Sequence, residues 1–344
     1  MGIKLWEAVT GPSDRFPSCH CSVIVELDNG DLLVGYYAGE GEAKPDAAWV
    51  FARKSAGETG FGPLLSVADS NGKPEGNGIF FQDSDGKVVL IYNTMQGRLY
   101  GPHGPGVRWR TCDLRMKSSE DFGATWSDVT MIDPKWGHVP RCKPIRLKSG
   151  HLIFGTEYDD GYSRFWLSID DGEHWQMTGP ILGEKNQHPT LIEREDGSLL
   201  ALLRPSGSQG FVLQSESQDG GHTWSDALVT DLPSPFAALD AVRLNDGRVV
   251  VAWNSNPEAR NPLTLALSED GGRSWASRRD LVTGEGSFHY PAVIQTEDGL
   301  LHVTFTNNRE TIDHIVLSVD WILGEGSALP DWRGDGKRRL PDML

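Results

Sequence analysis

Six times along the chain an apolar stretch breaks at a short polar turn and resumes as a second apolar stretch. VIVELDNGDLLVGYY, FFQDSDGKVVLIYN, PIRLKSGHLIFGTE, TLIEREDGSLLALLR, AVRLNDGRVVVAWN and AVIQTEDGLLHVTFT share this form, with turn glycines at Gly30, Gly86, Gly150, Gly197, Gly247 and Gly299. Asp-Gly or Asn-Gly between alternating apolar residues predicts a β-hairpin. A third apolar run follows, as in RFWLSIDDG, GFVLQSESQDG and LTLALSEDG, and then a weaker fourth. The pattern predicts an all-β fold of six four-stranded antiparallel units.

The third run leads into a second repeat. SEDFGATW, SIDDGEHW, SQDGGHTW and SEDGGRSW begin at residues 119, 168, 217 and 268, which are 49, 49 and 51 residues apart. All fit S-x-D-x-G-x-T-W with one position loosened. A fixed period of this size predicts a radial or stacked repeat. Within each octapeptide the Asp bonds backbone amides of the turn, the Gly supplies a left-handed residue and the Trp packs between sheets. In the first unit the octapeptide is degenerate, KSAGETGFG, and in the last it is absent, where TIDHIVLSVDW runs on.

Composition changes the picture in three places. A length of 344 residues suggests two domains, but repeat folds exceed that prior as single units, and 40 Gly with 20 Pro suit many short strands and tight turns. No run is apolar for long enough to cross a bilayer, and MGIKLWEAVTG lacks the pattern of a secretory leader. The expectation is a soluble chain, cytoplasmic as given or secreted with its leader removed. The net charge of −16 argues against nucleic acid or an anionic membrane as partner, and leaves an acidic substrate to a local basic pocket. Nothing implies an obligate protein partner. Cys19, Cys21, Cys112 and Cys142 are too few and too scattered for a disulfide framework. Strand alternation would turn His20 away from both Cys19 and Cys21, so no metal is expected there, and no cofactor elsewhere.

The octapeptide is the Asp box, and through it the chain resembles the sialidase (neuraminidase) and BNR-repeat superfamily, whose members are β-propellers. The resemblance implies a six-bladed β-propeller in one domain, 1–344, with blades at 22–69, 77–133, 140–182, 187–232, 237–283 and 288–323. Residues 3–9 are expected to close the ring as the outer strand of the last blade, and 324–344 to form a surface tail. Hairpin turns and Asp-box turns then share one face of the disc. The pocket on the other face is lined from the start of strand one, the end of strand two and the start of strand three.

Those positions hold Arg15, Asp46, His188, Arg204, Asp240, Asn254, Arg260 and Tyr290. Arg15 in RFP resembles the arginine of the family's R-I-P motif. Arg204, eight residues after the turn Asp196, resembles its second arginine, and Arg260, just before an Asp-box strand, its third. Tyr290 in Y-x-x-V resembles the nucleophile, and Asp46 the acid/base. The resemblance implies that the arginines grip a sugar carboxylate, with Asp240 and Asn254 beside them, because guanidinium forks match carboxylate geometry. A neutral tyrosine suits attack on an anionic sugar, and sialidases are an exception to the two-carboxylate rule. Asp46 would protonate the leaving oxygen and then activate water. The activity implied is retaining exo-hydrolysis of an acidic oligosaccharide or glycoconjugate.

One position departs from the family. Sialidases carry a glutamate that takes the tyrosine's proton, where this chain has His188. Either His188 acts as the base, or Glu157, ending the second strand of the third blade, reaches across. His20 opens a second reading, a lyase or hydrolase on a uronate linkage such as rhamnose–glucuronate. There His20 or His188 abstracts the proton alpha to the carboxylate, Tyr290 assists and the arginines stabilise the enolate. The third reading is a carbohydrate-binding propeller without catalysis.

Overall fold

The computed structural model describes residues 2–11, 13, 15–101, 104–107, 109–207, 210–324 and 329–330. The second strand of each hairpin packs against neighbouring blades on both faces. Leu32–Gly39 and Val88–Met95 are therefore buried at every position, and their sequences read as near-continuous apolar runs. Outer strands such as Leu228–Pro233 expose half of their residues and bury only one.

Six sheets result, each with antiparallel pairing along the blade. Blade one is Ser18–Glu26, Leu32–Gly39, Ala48–Lys54 and Leu65–Ala68, and blade two is Glu75–Gln82, Val88–Met95, Cys112–Ser119 and Thr130–Asp133. Blade three has its inner strand broken into Val139–Pro140 and Ile145–Arg146, followed by Leu152–Glu157, Arg164–Ser168 and Gln176–Thr178. Blade four is Asn186–Glu193, Leu199–Pro205, Phe211–Ser217 and Leu228–Pro233, and blade five is Asp240–Arg243, Val249–Asn254, Leu263–Ser268 and Ser277–Thr283. Blade six is Phe288–Gln295, Leu301–Asn307 and Thr311–Leu317, and Ile3–Thr10 pairs with the last of these as its fourth strand. The architecture is a six-bladed β-propeller.

Three features were not legible in the repeat pattern. A short hairpin, Arg98–Gly101 with Gly104–Val107, is inserted between the second and third strands of blade two. A one-turn helix, Asp320–Leu323, follows blade six, where the Trp321 carbonyl accepts a bond from Arg279 of blade five. Of the expected tail, Leu329–Pro330 runs parallel to Ser277–Thr283, and most of 324–344 lies outside the described residues. Among the described residues no helix is long and apolar enough to cross a membrane.

The Asp boxes are built alike. The serine hydroxyl donates to the Asp carboxylate at 2.7–2.8 Å and accepts from the Gly amide at 2.8–2.9 Å in all four. Gly221 has φ +91°, and a Cβ there would sit 2.4 Å from Ile153 Cδ1, so only glycine fits. Trp224 stacks on Phe165 at 4.1 Å between centroids. Box and hairpin turns do share one face: Ser84 of a hairpin turn bonds Asp171 of the next box, and Arg273 of a box pairs with Asp196.

At the opposite face, three of the four inner strands that shift register carry the same irregularity. The register shifts between His20 and Val23, Gln187 and Thr190, and His289 and Ala292. Within each shift stands a non-glycine residue of positive φ: Cys21 at 64°, His188 at 47° and Tyr290 at 50°. A bulge sets two residues against one and re-aims the side chain. It also overturns the simple alternation expected for Cys19-His20-Cys21, since Cys19 and Cys21 enter two different hydrophobic clusters.

Candidate active site

Tyr290 is the centre of a cluster contributed by five blades. Its left-handed backbone, at the start of the inner strand of blade six, stands within the register shift between His289 and Ala292. Arg204, at the end of the second strand of blade four, donates from Nη1 to the Tyr290 hydroxyl at 3.0 Å. The same Nη1 lies 3.4 Å from His188 Nδ1, and His188 Nε2 lies 2.9 Å from Glu157 Oε2. This arrangement selects one tautomer: the proton sits on Nε2, facing the carboxylate, and Nδ1 keeps its lone pair. His188 and Glu157, read from the sequence as alternatives, are partners.

The electrostatics follow from burial beside several guanidiniums. Burial raises the Tyr290 pKa and Arg204 opposes it, so the phenol is protonated at neutral pH. Burial lowers the His188 pKa, opposed by Glu157. His289 accepts from Arg260 Nη1 at 2.6 Å through Nδ1, and burial with the Arg260 charge pushes it down to about 3. His20 packs edge-on to Tyr290 at 4.5 Å, is held well below the usual imidazole range by burial, and has no hydrogen-bond partner at Nδ1 among the described residues.

The arginines divide. Arg204 stacks 3.6 Å over Phe236, whose carbonyl accepts from Arg260 Nη2 at 2.9 Å, so one loop residue braces both. Arg15 is elsewhere: its side chain is 63% exposed and pairs with Asp69, at the exit of blade one's outer strand, at 3.1 Å. Two arginines that sequence reasoning passed over stand closer. Arg309, in the left-handed turn before the third strand of blade six, pairs with Glu42 at 2.8 Å and electrostatically influences Arg260, His289 and His20. Arg141, at the broken start of blade three, is wholly buried with its guanidinium 5.3 Å over the Tyr290 ring. Both occupy kinds of position already identified as pocket-facing, and extending that rule to every blade would have found them.

The remaining expected residues have other partners. Asp240 is buried, pairs with Lys143 at 2.7 Å, and accepts from Thr190 and the Val293 amide, which ties inner strands together. Asn254 donates to the carbonyls of Phe288 and Pro262. Asp46 is exposed and accepts from the Glu40 amide at 2.7 Å, on the loop that also carries Glu42 to Arg309 and to Trp109 Nε1. Among the described residues no group of three His, Cys, Asp or Glu is arranged to hold a metal.

Comparison with known proteins agrees with the fold. The profile of the BNR repeat-like domain matches residues 30–303. A sialidase of Bacteroides fragilis (strain YCH46) is 26% identical over 200 residues, which are 52% of this chain and 36% of that protein. An anhydrosialidase of Macrobdella decora is 25% identical over 219 residues, 54% of this chain and 28% of that one. The chain thus spans about a third of the length of these curated relatives. Among solved structures, the intramolecular trans-sialidase from Ruminococcus gnavus superposes with a TM-score of 0.77 at 14% identity, covering 93% of this chain and 99% of its own. A protein of unknown function from Dyadobacter fermentans gives 0.77 at 15% identity, covering 92% and 99%. At such identities the structural likeness concerns the fold alone, while the profile match covers most of the chain: it belongs to the BNR repeat-like family of the sialidase superfamily.

Proposed function

We propose that the chain is a sialidase-like glycosidase that removes a terminal carboxylated sugar from an acidic glycan with retention, through Tyr290. The observation that carries this reading is the connected set Glu157–His188–Arg204–Tyr290. His188 Nδ1, which shares Arg204 Nη1 with the Tyr290 hydroxyl, takes the tyrosine's proton, and the imidazolium so formed faces Glu157. Arg204 Nη1 already donates to the oxygen on which negative charge develops.

The phenolate then bonds to the anomeric carbon as the glycosidic C–O bond breaks, and Asp46 gives its proton to the leaving oxygen. In the second half Asp46 takes a proton from water, the water oxygen bonds to the anomeric carbon, and the Tyr290 C–O bond breaks. Tyr290 recovers its proton from His188. Arg204, Arg260 and Arg309 hold the carboxylate, with Arg309 in the role that the sequence suggested for Arg15.

A fluorogenic α-sialoside tests the reading. Tyr290→Phe is expected to lower kcat by about 10³-fold or more. Arg309→Ala should raise KM by roughly tenfold, while Arg15→Ala leaves it within about twofold. No turnover by the wild type, or an unsaturated uronate product from a uronate polysaccharide, overturns the hydrolase. Tight binding of an acidic sugar without any turnover would favour a binding propeller.

A further inference from the structure

Arg141 is a fully buried cation that pairs with no carboxylate among the described residues. Its Nη2 donates to the Pro291 carbonyl, while Nε and Nη1 have no hydrogen-bond partner among the described residues. Burying an uncompensated guanidinium is costly, so its surroundings must offer something in return. Cys21, Cys142, Asp240 and Tyr290 are acidic groups whose charge would favour its own, while His20 and His188 are disfavoured from charging by it. Burial pushes both thiols up to about 12, leaving them neutral. Asp240 is already paired with Lys143. Tyr290 remains, and it is the one group of the four that gains negative charge during the proposed reaction.

The contact is also mechanical. Pro291 follows Tyr290, whose φ of 50° is unfavourable for a bulky residue, and the Arg141 bond holds the carbonyl of Pro291, one peptide beyond the Tyr290–Pro291 bond. The other groups around the phenol are Arg204, Arg260 and Arg309 as cations, His20 and His188 as imidazoles held neutral, and Glu157, Cys21 and Tyr37. Arg141 is the most deeply buried of these cations, at 0% exposure against 6% for Arg204, so its field on the ring is the least screened.

We propose that Arg141 is a positioning residue for Tyr290: from beneath the ring it locks the Tyr290–Pro291 turn and supplies positive charge that favours the phenolate. The proposal rests on Tyr290 being the nucleophile. Its test does not need turnover: 3-fluorotyrosine at position 290 lowers the phenol pKa into an accessible range, and its ¹⁹F resonance reports ionisation directly.

Two variants separate the roles. Arg141→Gln keeps an N–H for Pro291 and removes the charge, and should raise the position-290 pKa by about one to two pH units. In the otherwise native enzyme it should lower kcat about tenfold or more with KM within about twofold. Arg141→Lys keeps the charge and should restore the pKa to within about half a unit. Unchanged ionisation in folded Arg141→Gln overturns the proposal, as does failure of both variants to fold, which would make Arg141 a structural prop. A shifted pKa in a protein that turns over no sialoside would leave the Arg141 assignment standing and remove the hydrolase reading instead.

Discussion

His188 is where this site differs most from the family pattern, and its chemistry is decided by two contacts. Glu157 at Nε2 favours the imidazolium, while burial and Arg204 near Nδ1 disfavour it. The net lowering keeps the His188 imidazole neutral below the ordinary imidazole range, so the acid limb of kcat/KM is expected below pH 6.5. Removing the carboxylate withdraws the influence that raises the pKa. Glu157→Gln should therefore move that limb to still lower pH, while kcat falls by about 10²-fold because the imidazolium loses its support. A limb that moves upward, or an unchanged kcat, would show that Glu157 does not act through His188. Asp240 shows the limit of reading single residues: it stands at a pocket-facing place in the repeat, yet Lys143, Thr190 and the Val293 amide take its oxygens.

At the scale of elements, blades two to five are tied at one face by an Asp box, and the inner strands of blades one, four and six are opened at the other by a bulge at a left-handed residue. Box bonds are local, spanning two to four residues, so the octapeptide alone is enough to specify them. The bulges are not announced by any local motif, because the left-handed residues are Cys21, His188 and Tyr290 and not glycine. The locality of the box bonds predicts that the two faces are energetically separable. Trp224→Ala, which removes the stacking on Phe165 and the bond to the Gly221 carbonyl, should cost roughly 2–4 kcal/mol in urea unfolding and leave KM unchanged. A change in KM comparable to the stability loss would mean that the box face and the pocket face are coupled.

The whole molecule is a ring closed by its own N-terminal strand. Trp6 bonds Asp313, and Glu7 pairs with Lys54 at 2.8 Å and with His314 at 3.1 Å. His314 in turn bonds His302 at 2.9 Å, a buried pair that cannot carry two charges. Burial lowers the pKa of His20, His188 and His314, and pushes His138 down to about 4 and His289 and His302 down to about 3. For a histidine whose folded pKa is depressed, stability is full above the unfolded value of about 6.5. It is lost as pH falls, by about 1.4 kcal/mol per unit for each group, until the folded pKa is reached. Thermal melts should therefore show a Tm that is flat above pH 6.5 and about 10 °C or more lower at pH 4.5. A Tm unchanged over that window would mean that the imidazoles are already protonated in the folded ring.

What the sequence by itself determined was everything carried by short-range repetition: six hairpins, the 49- to 51-residue period, the Asp-box turns and the second strands that become the buried layer. Hairpin registers and turn bonds join residues a few positions apart, so their chemistry is written locally. The tertiary structure alone decided which pocket-facing side chains meet. Arg204 reaches Tyr290 across 86 positions and Arg141 reaches Pro291 across 150. Arg15 turns outward to Asp69, while Arg309, paired with Glu42, stands where it interacts electrostatically with Tyr290. Those outcomes depend on bulges and on the closing of the ring, which set distances between blades that no repeat unit encodes within itself.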